Sequence, residues 1–182
     1  MNGDVTILPY GGISPDIADD AFVAPGCRLI GDLHIGSQSS IWYNCVVRAD
    51  VHSIRIGART NIQDGSIVHV TTDRHSVTIG DDCLVGHMVV LHGCILEDRA
   101  FVGLGAIVMD ACVVESDGML AAGAMLTPGK RVGTRQLWGG RPARYMRDLR
   151  DDEIAANHET ARHYMDLARE HAALTAGLPP RP

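Results

Sequence analysis

The sequence predicts an all-β solenoid, short strands wound into stacked triangular coils, with one α-helix at its C-terminal end. Three observations predict it. Aliphatic residues recur every sixth position over residues 17–127. A small or β-branched residue stands two places before most of them. The composition is 46% hydrophobic yet only 4% aromatic, with 20 glycines, which suits many short Val/Ile/Leu/Ala strands and tight corners. A residue pair alternating in and out, repeated after a two-residue corner, is the signature of a short strand in a repeat.

In chain order the aliphatic positions are Val23, Leu29, Ile35, Ile41 and Val47, then Ile56, Ile62 and Val68, then Ile79, Val85 and Leu91, then Leu96, Val102, Val108, Val114, Leu120 and Leu126. The period breaks at 47–56, 68–79 and 91–96. The inward small slots are Cys27, Ser39, Cys45, Val51, Thr60, Ser66, Thr72, Cys83, Val89, Ala100, Ala106, Cys112 and Ala124. Three strands make a coil of about eighteen residues. Over about 110 residues this pattern resembles the hexapeptide-repeat family, and the resemblance implies a left-handed parallel β-helix, an exception to the usual right-handed crossover.

The β-helix domain is expected over 1–140. In 141–182 a crossover, a helix and a tail are expected. "LWGGRPARYMRDL" reads as a Gly/Pro-punctuated crossover. Asp151, Asp152 and Glu153 complement a helix N-terminus, and Ile154, His158, Ala161, Met165, Ala168 and Ala172 follow at helical spacing. A helix over about 151–173 should lie against the solenoid, with Tyr164 and Met165 as packing residues, and "GLPPRP" should fray.

A net charge of -6 and the absence of any Lys/Arg block argue against nucleic acid and against a polybasic membrane anchor. No apolar run approaches twenty residues and no leader pattern opens the chain, so a cytoplasmic protein with small-molecule or self partners is expected. Of five cysteines, Cys27, Cys45, Cys83 and Cys112 fall in inward slots and should be inert. Cys94 falls at a corner and is the one expected to react.

Nine histidines are present. His34, His52, His75, His158, His163 and His171 read as surface residues. The repeat orients the others. Val47, Val68, Leu91 and Val108 share one column, so Arg48, His69, His92 and Met109 form an outward column with neighbours about 4.8 Å apart. His69 and His92 can then hold one metal between them. His87 sits at the corner before that strand, up to roughly 16 Å from His92 along an extended chain, too far to share the ion. If the three cooperate, His87 comes from another subunit. Gln63, pointing outward, Asp64, stacked one coil before His87, and Arg48 with Asp50 gather polar groups near that surface.

The strings "VVRAD", "NIQDGSIVH" and "VGHMVVLHGC" resemble three signature stretches of the γ-carbonic anhydrase family. The resemblance implies a homotrimer with His69, His87 and His92 as metal ligands and Gln63 orienting the nucleophile. It implies an Arg48–Asp50 ion pair at the subunit interface, Asp64 as an acid behind the ligands, and Tyr164 as a helix tyrosine reaching the site. Two departures stand out: Val51 replaces a glutamate, and the loop "VTTDRHSVT" is short where some relatives carry a long acidic one. Both features go with proton shuttling.

The implied activity is reversible hydration of carbon dioxide to bicarbonate, with zinc as the metal, cobalt and ferrous iron also suiting imidazole. Asp64, His75 and Tyr164 are candidate proton carriers. The alternatives are coenzyme A-dependent acyl transfer or thioester hydrolysis, common among hexapeptide-repeat proteins, and a metal-stabilised scaffold trimer.

Overall fold

In the computed structural model, residues 4–176 are described. The "GLPPRP" tail lies outside them. Over these residues the chain forms a parallel β-solenoid with a single helix, Asp151–Thr175. Strand 22–23 and its parallel successors 40–41, 61–62, 84–85, 101–102, 119–120 and 136–140 stack as one face of seven coils. The other two faces merge into a 12-stranded sheet, because the long strands Arg28–Ile35 and Val46–Ile56 run around a corner from one face to the next.

The pairing register reproduces the predicted columns. Val47 lies beside Val68, Val68 beside Leu91 and Leu91 beside Val108. Each of these four side chains has no exposed surface. The column continues to Ile7 beyond Leu29 and to Leu126 beyond Val108. On another face Leu120 lies beside Trp138. The solenoid therefore runs past both expected ends of the repeat.

Small inward residues leave room at the corners and also tie coils together. The hydroxyls of Ser39 and Thr60 donate to the carbonyls of Gly57 and Gly80 at 2.7 Å each, and the Cys27, Cys45, Cys83 and Cys112 thiols donate to carbonyls of the following coil. Val51 is only half-buried and Thr72 is exposed, because each falls in a break of the period. Gly36, Gly57 and Gly80 stack in successive coils. A Cβ on Gly57 would lie 2.7 Å from the Gly80 backbone, so glycine is required there by close approach.

Two expectations are corrected here. Cys94 is buried like the other cysteines: Gly93 (φ +54) turns the chain so tightly that the next side chain is back inside the coil. The predicted crossover is instead a β-hairpin. Gln136–Gly140 joins the seven-coil face, and Ala143–Asp148 pairs antiparallel with it.

The helix begins with Glu153 accepting the Arg150 N–H at 2.9 Å and the Arg147 guanidinium at 2.7 and 2.8 Å. The Arg147 hydrogen bonds, then that backbone N–H, hold the Glu153 carboxyl down at about 2. Ile154, Ala161, Ala168 and Thr175, seven apart, are its buried stripe, while Ala172 is exposed. Trp42 anchors it, with Tyr164 edge-on at 5.4 Å and His171 at 5.0 Å. His171 also meets the Tyr43 hydroxyl at 2.8 Å, and His158 meets Asp117 at 2.7 Å. Neither is the solvated surface residue expected. The helix docks through imidazoles as well as aliphatic contacts, and periodicity does not distinguish the two.

Candidate metal centre

His69 and His92 end adjacent parallel strands, Ile67–His69 and Val90–His92, and are paired in register. Because the preceding Val68 and Leu91 point into the coil, both imidazoles point out. His69 Nδ1 and His92 Nε2 stand 3.1 Å apart. The Arg48 side chain pairs with Asp50, and the other Asp50 oxygen lies 3.0 Å from His69 Nε2. On the far side, Asp110 Oδ1 lies 2.6 Å from His92 Nδ1, and the Thr71 hydroxyl donates to Asp110 Oδ2 at 3.0 Å.

These contacts set the tautomers of neutral rings. With His69 Nε2–H donated to Asp50 and His92 Nδ1–H donated to Asp110, the two nitrogens facing each other both carry lone pairs. Such a contact is repulsive until a proton or a cation joins them. Two nitrogens bonded to one tetrahedral ion at about 2.0–2.1 Å stand about 3.3 Å apart, so the donor pair fits a divalent metal. Ligating histidines characteristically donate their second N–H to a carboxylate, as both rings do here.

His87 follows Gly86 at the corner after Leu84–Val85, with its Nδ1 2.8 Å from Asp64 Oδ2. This is the stacking expected from the repeat, and it leaves Nε2 free. Among the described residues, no group of three or more His, Cys, Asp or Glu side chains in one chain could hold a metal ion. His87 and the His69/His92 pair thus stand apart within the chain. Both are part exposed, at 41% for His87 and 37% for His92.

Gln63, expected to point outward, is only 4% exposed. Its amide N–H donates to Asn61 Oδ1 at 3.0 Å, and the Asn61 amide reaches the Cys83 carbonyl. That bond turns Gln63 Oε1 away from Asn61 as the free acceptor. Tyr164 packs on Trp42, and burial, then the nearby Asp64 charge, raises its phenol pKa.

Burial works to raise the Asp50 and Asp110 carboxyls. Hydrogen bonds from His69 and Arg48 to the first, and from His92 and Thr71 to the second, outweigh it and hold both below the usual range. Asn61 and Asp110 are the site residues that sequence reasoning missed. Asn61 stands two before Gln63, on the same side of its strand, which is a usable signal. Asp110 lies one coil beyond His92 and shifted by one residue, so no period marks it.

A stack of hexapeptide coils carrying carboxylate-anchored histidines on its outer surface defines this chain as a hexapeptide-repeat protein. No protein-family model matches it. It is 48% identical to γ carbonic anhydrase 1, mitochondrial, of Arabidopsis thaliana over 94% of its length and 64% of that protein's. It is 42% identical to γ carbonic anhydrase 3, mitochondrial, of the same plant over 94% of its length and 68% of that protein's. A carbonic anhydrase of Geobacillus kaustophilus is 38% identical over 92% of both chains. Among solved structures, a hexapeptide transferase family protein from Anaplasma phagocytophilum superposes with a TM-score of 0.87 at 44% identity, covering 91% of this chain and 97% of that one. A putative acetyltransferase from Bacillus cereus gives 0.92 at 32% identity, covering 94% and 99%. The chain belongs to the γ carbonic anhydrase family. It spans 64% and 62% of the lengths of the first two plant relatives it matches.

Proposed function

We propose that this protein catalyses the reversible hydration of carbon dioxide to bicarbonate at metal centres shared between subunits of a homotrimer. The observation that carries the reading is that His69, His87 and His92 each have one ring nitrogen held by an aspartate, while the free nitrogens of only two converge within one chain. A neighbouring subunit's His87 completes the set.

A divalent metal, with zinc proposed and cobalt or ferrous iron equally suited to imidazole, would supply a bound water acidic enough to ionise near neutral pH. The protein's own contribution is orientation. Asp50, Asp64 and Asp110 each accept from one nitrogen of an imidazole and keep the three rings aimed. Gln63, with its N–H engaged by Asn61, offers Oε1 as a fixed acceptor for the attacking water's hydrogen. Arg48 neutralises Asp50 at the proposed interface, where an unpaired charge would be costly to desolvate. Asp64, Tyr164 and His75 are the proposed proton carriers.

The test is complementation. His87→Ala and His69→Ala homotrimers each lack every complete site and should lose metal and hydration activity. Mixed trimers contain an interface where an intact His69/His92 pair meets an intact His87, and both properties should return in proportion to such interfaces. Mixed trimers that form and regain no metal refute the shared site.

The transferase names of the two solved relatives favour a second reading, coenzyme A-dependent acyl transfer or thioester hydrolysis. Saturable coenzyme A binding by a protein inactive on carbon dioxide would select it.

A further inference from the structure

Asp110 lies outside the ligand column, yet its carboxylate is committed on both oxygens. Oδ1 accepts from His92 Nδ1 at 2.6 Å and Oδ2 accepts from the Thr71 hydroxyl at 3.0 Å. Space for this reach comes from Gly93, next to His92. A Cβ there would lie 2.3 Å from Asp110 Oδ1 and 2.7 Å from the His75 Cβ. Thr71 and His75 close the turn that follows His69 through paired backbone bonds of 3.0 and 3.2 Å. One carboxylate therefore joins the turn after His69 to the ring of His92.

We infer that Asp110, braced by Thr71, is a positioning residue. It fixes His92 as the Nδ1–H tautomer, presents Nε2 toward the point His69 Nδ1 faces, and clamps the turn at 71–75 against the ligand pair. A carboxylate accepts hydrogen bonds and donates none, so His92 Nδ1 must carry the proton while Asp110 is ionised. Without it the neutral ring is free to place its proton on Nε2, removing the lone pair a metal needs. Outer partners of this kind typically contribute 10- to 100-fold to metal affinity.

The inference rests on the metal reading above, and the experiment separates the two. Cobalt(II) is titrated into the full-length parent, Asp110→Ala, Asp110→Asn and Thr71→Val, and the His92 tautomer of each metal-free protein is read from its ring-nitrogen NMR shifts. We expect Asp110→Ala to bind cobalt about 10- to 100-fold more weakly and to move His92 toward the Nε2–H form. Asp110→Asn should fall between it and the parent, and Thr71→Val should weaken binding a few-fold. A purely structural staple would lower thermal stability and leave both readouts of the folded protein unchanged. Parent affinity and an unchanged tautomer in Asp110→Ala overturn the inference. Should that variant fail to fold, parent affinity in Asp110→Asn overturns it equally. If the parent itself binds no cobalt, the metal reading fails, and the tautomer comparison alone decides the role of Asp110.

Discussion

Replacing Gly57 by alanine tests the coil stacking that carries every site residue. The added Cβ would sit 2.7 Å from the carbonyl carbon and oxygen of Gly80 in the next coil and 2.4 Å from Asp81 Oδ1. The aspartate can swing away; the backbone cannot. Ordinary contact begins near 3.4 Å, so the coils must part locally by about 0.7 Å, which would stretch the 2.8 Å Gly57 N–H to Ile79 carbonyl bond beyond useful length. Overpacking of this kind costs about 1–3 kcal/mol, and a weakened backbone hydrogen bond adds about 0.5–1.5 kcal/mol. In a domain of this size the melting temperature should fall by about 3–18 °C. The control is Gly105→Ala, where a Cβ meets nothing within 4 Å and only the left-handed backbone (φ +64) opposes it. Ala111 already occupies that conformation at φ 57, so the cost there is about 1–2 kcal/mol at most. Circular dichroism melts of both variants decide the matter. If Gly57→Ala loses no more than Gly105→Ala, close coil approach is not what requires glycine at 57.

Thiol labelling of the native protein should be slow at all five cysteines because all five are buried, and at Cys83, Cys94 and Cys112 burial also raises the thiol pKa, at Cys83 up to about 12. Rapid reaction at Cys94 in the folded state would show that the turn at 92–95 is open. The Asp117 carboxyl should make a pH-dependent contribution to helix docking. Burial opposes its ionisation, but hydrogen bonds from His158 and Arg99 outweigh that and hold it below the usual range. A lowered folded pKa gives stability that is present above the unfolded value, near 3.9, and is lost as pH falls through the folded one. The difference in melting temperature between the parent and Asp117→Asn should therefore be full at pH 5 and shrink below pH 4. A difference that is constant from pH 5 to pH 3 would mean Asp117 does not ionise differently on folding.

His69, His92 and their column were legible in the sequence because a strand alternates strictly and each coil repeats its predecessor, so counting places a side chain inside or outside and names its neighbour above and below. His87 over Asp64 was legible for the same reason. Counting fails where the period breaks. Cys94 follows a five-residue interval instead of six, and the turn at Gly93 decides its direction. It also fails where a long side chain reaches sideways, as Asp110 does to His92 and Gln63 to Asn61, since rotamers and shifts between columns are set by packing.

The sequence by itself determined the solenoid, the inward and outward faces and the set of outward histidines, because these follow from a short-range period that every residue obeys. The tertiary structure alone decided the helix anchorage at Trp42, His158 and His171, the hairpin after residue 136, and the carboxylate contacts that assign His69 and His92 their free nitrogens. Apart from the hairpin, those depend on contacts between residues 18 to 129 positions apart, formed once the coils and the helix are in place, and no local pattern encodes them.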